Sequence, residues 1–196
     1  FYEYVRLLKE IKPKYFLLEN VKMKTEWKDI ITKELGVEPI LINSSLVSAQ
    51  NRERYYWTNI PNVTQPIDKK ISFSSISIDD KRFTAAMRGR RISSNGRSRN
   101  DNDKSIPIIQ YIEWRSDCKT NCITTVAKDN VVVNYGFAAR RNASDVDFRY
   151  LAISELEALQ TLPKDYTNSV SDSQRKKAIG NAWTVDVIAH ILKELA

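Results

Sequence analysis

Hydrophobic and polar positions alternate with helical and then strand-like spacing at the start of the chain. Phe1, Val5 and Leu8 lie one helical turn apart, which predicts an amphipathic helix over residues 1–11. Residues 15–18 form a continuous apolar run, typical of a buried strand in a parallel sheet. Glu19 and Asn20 follow at its carboxyl end, where α/β sheets gather ligands and catalytic groups.

The same alternation continues for one more helix and two more strands. A helix is predicted over residues 25–35, with Gly36 ending it, because glycine readily adopts the left-handed conformation that closes helices. Strands are predicted over residues 38–46 and 55–60, the second stopped by Pro61. This order of elements predicts a parallel or mixed α/β sheet.

The pattern changes between residues 62 and 147, where short strand-like pieces stand between polar loops. We interpret this stretch as a separate small β-rich lobe, whose clearest strands are predicted at 122–126 and 130–134. The predicted organisation is therefore an α/β part over residues 1–61, the lobe over 62–147 and a return to the α/β part over 148–196.

Helical patterns dominate the last fifty residues. Ser154 is predicted to cap a helix over residues 154–161, with Glu157 as the partner of a capping box. A second helical stretch begins at Ser173 and is interrupted at Gly180-Asn181, and a final helix covers residues 185–195.

The net charge of the chain indicates a polyanionic partner. The 196-residue chain carries 31 Lys and Arg against 24 Asp and Glu, a formal charge of +7. Residues 81–100 contain basic side chains and no acidic one, and arginine, glycine and serine dominate there. Such a stretch suits contacts to phosphates or bases. The candidates for nucleic-acid contact are Arg88, Arg90, Arg91, Arg97 and Arg99.

Several protein classes are not indicated. No apolar run approaches the length of a membrane span, so no membrane partner is expected. Cys118 and Cys122 provide neither a disulfide framework nor, with one histidine, a zinc site. Without a secretory signal, the expected location is the reducing cytoplasm, and no metal is predicted.

Four local patterns stand in a fixed order along the chain. They are Glu19-Asn20-Val21; Gln50-x-Arg52-x-Arg54; Arg149-x-Leu151 followed by Glu155, Leu159-Gln160 and Pro163; and Gly180-Asn181-x-Trp183. In type, order and spacing they resemble the motifs of the DNA cytosine-5 methyltransferase family. The resemblance covers most of the chain outside the lobe. The residues around Trp57 and Trp183 are similar to those of phage enzymes and de novo methyltransferases. This similarity implies a bacterial or phage origin.

The resemblance implies a Rossmann-like methyltransferase sheet with an inserted target-recognition lobe, acting on an extruded cytosine. Adding a thiolate to C6 of cytosine makes C5 nucleophilic, and N3 must then be protonated or strongly hydrogen-bonded. Glu19, as a carboxylic acid in a secluded site, suits that role. Arg52 and Arg54 are two apart on a strand and point to one face. The family assigns Arg54 to the base and Arg52 to a positioning role.

The remaining motifs imply the methyl donor and the DNA. In the family the Gly-Asn turn lines the S-adenosylmethionine pocket, so Gly180, Asn181 and Trp183 are expected to contact this cofactor. Thr124 and Thr125 fall where the recognition lobe approaches double-stranded DNA, although ordinary strand propensity explains them nearly as well. The third motif, with Arg149, Glu155 and Gln160, is expected to organise the lobe. 

Two family elements are not found in this sequence: a glycine-rich cofactor loop and a Pro-Cys nucleophile. The family places both upstream of the Glu19 strand. The chain alone is therefore expected to be inactive and to need an N-terminal segment or a partner subunit that carries the nucleophilic cysteine. A DNA-binding module without activity and a tRNA cytosine-5 methyltransferase remain as alternatives.

Overall fold

The computed structural model describes residues 1–80, 83–93, 99–136 and 140–195. They form two antiparallel sheets flanked by helices, together with a helical hub where the two parts of the chain meet. None of the helices in these ranges is long and apolar enough to cross a membrane.

The first sheet contains β1 (Leu17–Val21), β2 (Ile40–Asn43) and β3 (Glu53–Thr58). β3 lies between the other two and is antiparallel to both. β1 and β2 therefore run in the same direction, as expected for an α/β unit, but neither pairs with the other. The sequence predicted the alternation of elements correctly; the insertion of β3 between the two strands makes each ladder antiparallel.

Helices cover both faces of this sheet. α1 (Tyr2–Ile11) and α2 (Thr25–Leu35) belong to one side, where the indole of Trp57 donates a hydrogen bond of 3.0 Å to Thr32 Oγ1. On the opposite side, α5 (Val185–Leu192) packs Val187, Ile188 and Ile191 against the sheet. Gly36 ends α2 with φ +70°, as its position predicted.

The second sheet has the order β7-β5-β4-β6-β8. Its strands are β4 (Phe83–Arg90), β5 (Ile109–Trp114), β6 (Val131–Val133), β7 (Arg141–Asn142) and β8 (Phe148–Tyr150). β6 is buried on both faces: Val131 and Val133 pack within the sheet's own core, and Val132 packs into the helical hub. Because both faces of this strand are buried, three consecutive valines occur where an exposed strand would alternate apolar and polar residues. β8 extends the sheet beyond residue 147, past the predicted edge of the lobe.

One predicted strand of the lobe is wrong. Residues 122–126 form no strand, because their polar groups bond locally and to the first part of the chain. The predicted strand at 130–134 is confirmed as β6.

The helical hub consists of α3 (Ile153–Leu159) and α4 (Asp172–Asn181). α3 begins after Ala152, whose backbone N–H donates to Glu155 at 2.8 Å, so the predicted cap by Ser154 and Glu157 is wrong. Glu157 is instead fully buried and accepts hydrogen bonds from the backbone of Asp165 and Thr167 and from Arg175. It fixes the loop that leads into α4.

Candidate active site

Glu19 lies in the middle of β1, whereas the sequence predicted it beyond the carboxyl end of the strand. It is directly opposite Tyr56 on β3, and Val21 lies opposite Arg54. Opposed residues in antiparallel strands point to the same face, so Glu19 and Arg54 meet diagonally. Arg54 Nε is 2.9 Å from Glu19 Oε1, and the two side chains are only 14% and 17% exposed. The structure thus brings together the acid and one of the two predicted arginines.

This ion pair leaves the carboxyl group unsatisfied. Among the described residues, no hydrogen bond reaches the buried Glu19 Oε1, because the nearby Nε–H of Arg54 does not have hydrogen-bond geometry. A buried oxygen that accepts no hydrogen bond is uncommon in proteins, and a ligand can supply the missing donor.

Arg54 also has terminal N–H groups that are free to donate to a ligand. Nη1 donates to the Glu53 carbonyl at 2.9 Å, and Nη2 lies 3.5 Å from the sulfur of Cys122. Since each terminal nitrogen carries two hydrogens, one remains uncommitted on each. Tyr56, 2% exposed, forms the wall beside them. Burial and the charge of Glu19 raise the pKa of Tyr56 to about 12, against the opposing effect of the two arginines, so its phenol stays neutral.

Arg52 has a different neighbourhood from the one expected. Its guanidinium donates to Cys122 Sγ at 3.2 Å, to the Ile123 carbonyl at 3.4 Å and to the Ala182 carbonyl at 3.0 Å. The guanidinium group beside Glu19 is that of Arg54. Arg52, 5% exposed, instead joins β3 to the lobe and to the turn after α4.

A buried network of amides and hydroxyls lies behind the arginines. Gln50 Nε2 donates to Gln160 Oε1 at 2.9 Å, and Thr184 Oγ1 lies 3.0 Å from the same oxygen and 2.8 Å from Ser44 Oγ. Gln160 Nε2 donates to the carbonyls of Ile179 and Ala182. Three of the four sequence motifs are therefore joined through side chains that are fully buried. Sequence reasoning missed Ser44 and Thr184; the position of Thr184 directly after the Gly-Asn-x-Trp pattern was the available signal.

The turn at the end of α4 exposes two of its three predicted cofactor residues. Asn181 is exposed and Trp183 is 49% exposed, so both side chains are free to meet a ligand or another segment. Gly180 is buried, and a Cβ there would lie 3.0 Å from the Thr124 carbonyl carbon and 3.2 Å from Thr125 N. The lobe backbone therefore makes a close approach to Gly180 that favours glycine at this position.

Thr124 and Thr125 are exposed on the loop that follows Cys122. Thr124 donates to Asp129 at 2.9 Å, and Arg88 also donates to this aspartate, at 3.2 Å. The hydroxyl of Thr125 has no hydrogen-bond partner among the residues that the structure describes. Beside the loop lies a cavity of about 100 Å³, rimmed by the two threonines and by Lys176 of α4.

The predicted arginine run is bound mostly within the protein. Arg90 forms a two-pronged pair with Glu113 at 2.7 and 2.8 Å, and Arg91 donates to the Ile106 carbonyl at 3.0 Å. Arg99 pairs with Asp101, and Arg97 lies outside the described residues. Arg90 meets Glu113 because β4 pairs with β5, which the local sequence did not reveal, whereas Asp101 is only two residues from Arg99.

Arg149 secures the lobe to the hub, as the third motif implied. It donates to Glu155 at 2.8 Å and to Asp79 at 2.7 Å, and these two carboxylates raise its pKa above the usual value.

Known proteins resemble this chain in sequence and in fold. The family model described as C-5 cytosine-specific DNA methylase matches in two overlapping parts, residues 1–85 and 64–196. The Type II methyltransferase M1.ScrFI of Lactococcus lactis subsp. cremoris is 28% identical over the whole chain, which spans 54% of that relative. A solved structure of a Spodoptera frugiperda DNMT2 mutant shares the fold, with a TM-score of 0.53 and 16% identity over 92% of this chain and 66% of that one. The chain belongs to the C-5 cytosine-specific DNA methylase family.

Proposed function

We propose that this chain binds an extruded cytosine of double-stranded DNA for methyl transfer to C5 from S-adenosylmethionine. The observation that carries the proposal is the pairing of Glu19 with Arg54, together with the unsatisfied carboxyl oxygen at the same place. In cytosine the ring nitrogen N3 is next to the carbon that carries O2. An acid beside a guanidinium group can therefore bind both atoms.

In this proposal the carboxyl group of Glu19 shares a hydrogen bond with N3 while the uncommitted hydrogens of Arg54 bind O2. The acid then stabilises the ring as charge develops during addition at C6. Arg52 positions the site, because its three acceptors belong to the lobe and to the turn after α4.

We assign the methyl donor to the turn formed by Gly180, Asn181 and Trp183. S-adenosylmethionine, when bound, supplies the methyl group. The exposed side chains of Asn181 and Trp183 fit such a ligand, because an amide offers hydrogen bonds and an indole offers a flat apolar surface. Gly180 contributes by allowing the lobe to pack on the turn.

We place the DNA interface at the loop with Thr124 and Thr125, extended by the exposed Lys128 and Lys176. Hydroxyl and ammonium groups are common phosphate ligands, and neither lysine is engaged in an ion pair within the described residues. Arg88 supports the loop through Asp129, which also binds Thr124. The paired Arg90, Arg91 and Arg99 are secondary candidates, because DNA would have to compete with their present partners.

We further propose that the nucleophilic cysteine comes from an N-terminal segment or a partner subunit, since the cysteines of this chain follow Asp117 and Asn121 rather than proline. The chain should then methylate DNA only when such a segment is supplied, and its expected setting is the bacterial or phage-infected cytoplasm.

The test is Glu19→Gln in the protein assembled with a segment that contains the glycine-rich loop and Pro-Cys. Transfer of labelled methyl groups to duplex DNA in a single turnover should fall by about 10²–10⁴-fold, the usual contribution of general acid–base catalysis. Glu53→Gln is the matched control, because Glu53 pairs with Lys22 and is 42% exposed. Equal rates for Glu19→Gln and the unaltered protein would refute the assignment.

A purely DNA-binding role is the second candidate, supported by the exposed threonine and lysine side chains around residues 124–128. It predicts steeply salt-dependent duplex binding by the chain, with no methyl transfer even after the upstream segment is supplied. Methyl transfer to duplex DNA and to tRNA, measured in parallel, shows which of the two nucleic acids is the substrate.

A further inference from the structure

The thiol of Cys122 contacts both arginines of the candidate active site. Its sulfur lies 3.2 Å from Arg52 Nη1 and 3.5 Å from Arg54 Nη2. It also lies 3.5 Å from the Ile123 carbonyl, which can accept the thiol hydrogen. With that hydrogen directed to Ile123, the sulfur lone pairs face the two guanidinium groups.

Cys122 is itself fixed by the recognition lobe. The preceding Asn121 accepts from Arg115 at 2.6 Å, donates its side chain to the Asp129 carbonyl at 2.9 Å, and donates its backbone N–H to Asn130 at 2.8 Å. None of these three contacts involves Arg52 or Arg54. A displacement of the lobe would therefore move the sulfur relative to Arg52 and Arg54.

Arg54 has few other restraints on its terminal nitrogens. Apart from Cys122, the only hydrogen bond from them within the described residues goes to the carbonyl of the adjacent Glu53, which moves with the same strand. Glu19 on the neighbouring strand pairs with Nε of the same group, and Cys122 is the contact through which the lobe restrains a terminal nitrogen.

We propose that Cys122 is a positioning residue, which holds the Arg52 and Arg54 guanidinium groups in the geometry that binds the base. This inference rests on the proposed function. It assigns to the lobe a role in ordering the catalytic pocket in addition to its role in contacting DNA.

The first test needs no enzymatic activity. In the chain labelled with ¹⁵N-arginine, Cys122→Ala should shift the side-chain NMR signals of Arg52 and Arg54 and speed rotation of their terminal groups. Cys118→Ala is the matched control, because the exposed Cys118 is the other free cysteine. Unchanged signals in Cys122→Ala would overturn the inference, whatever the protein catalyses.

The second test uses the assembled, active protein and compares kcat with KM for duplex DNA. Cys122→Ala should lower kcat about tenfold, as for loss of one hydrogen bond to a charged group, with KM and the melting temperature little changed. Cys122→Ser, which keeps a hydrogen-bonding atom, should recover most of the loss. Equal loss in Ser and Ala, an unchanged kcat, or a loss explained by melting would overturn the positioning role.

Failure of the proposed function and failure of the inference about Cys122 give different results. If the unaltered assembled protein transfers no methyl groups while Cys122→Ala still shifts the arginine signals, the proposed function fails and the structural contact stands. If the protein is active and the Cys122 variants behave like Cys118→Ala, only the inference about Cys122 fails.

Discussion

Replacing Gln160 by methionine tests whether the buried amide network holds the three motifs together. The side chain of Gln160 makes four hydrogen bonds, donating to the carbonyls of Ile179 and Ala182 and accepting from Gln50 and Thr184. Methionine has a similar length and shape but cannot reproduce any of the four bonds. 

The contacts around Gln160 also set the expected loss in the free energy of unfolding. The Ala182 carbonyl keeps its bond from Arg52, and the Gln50 amide keeps one to the Leu159 carbonyl. The cost is therefore the net value of the lost bonds, about 1 kcal/mol each. Roughly 1 kcal/mol is regained because methionine is more apolar. We expect the free energy of unfolding to fall by about 3 kcal/mol.

Urea denaturation of the chain, followed by far-ultraviolet circular dichroism, measures this change. With a slope of about 2 kcal/mol per molar urea, the midpoint should fall by about 1.5 M. Gln65→Met is the control, because exposed Gln65 makes one hydrogen bond, to the Leu41 carbonyl. A shift for Gln160→Met no larger than that for Gln65→Met would refute the view that the network stabilises the fold.

Three further predictions concern a buried acid, a crowded glycine and an exposed lysine. Burial raises the pKa of Glu157, but hydrogen bonds led by Thr167 outweigh it and hold the pKa below 4.5. Its stabilisation is therefore present above about pH 4.5 and lost as pH falls further, so Glu157→Gln should flatten the acid limb of urea midpoints measured against pH. Gly180→Ala should lower the melting temperature by crowding the Thr124 backbone, at a cost of about 1–3 kcal/mol, whereas stabilisation would contradict the close approach. Lys176→Ala should reduce the salt slope of duplex binding by about 1; an unchanged slope would remove Lys176 from the interface.

Much of the secondary structure was predictable because it depends on local periodicity. α1, α2 and α5 follow the spacing of apolar residues, and Gly36 ends α2 through its own backbone preference. The motifs also predicted that Glu19 would lie near an arginine two strands away in sequence, because their family resemblance carries information about distant contacts.

Errors arose where a residue's partner lies far away in sequence. Ser154 and Glu157 fit a capping box by spacing, but Glu155 caps the helix and Glu157 turns into the interior. Residues 122–126 have strand propensity, but their hydrogen bonds go to the Gln50 side chain and to local side chains instead of to a strand.

Residue type and spacing along the chain are enough to specify the helices, the main apolar segments, the charge and the four motifs. The tertiary structure alone decided that β3 separates β1 from β2, that Arg54 rather than Arg52 faces Glu19, and that Cys122 lies against both. It also decided that Arg90 faces Glu113. The physical reason is that side-chain pairing depends on strand order and on packing between distant segments, which local preferences do not specify.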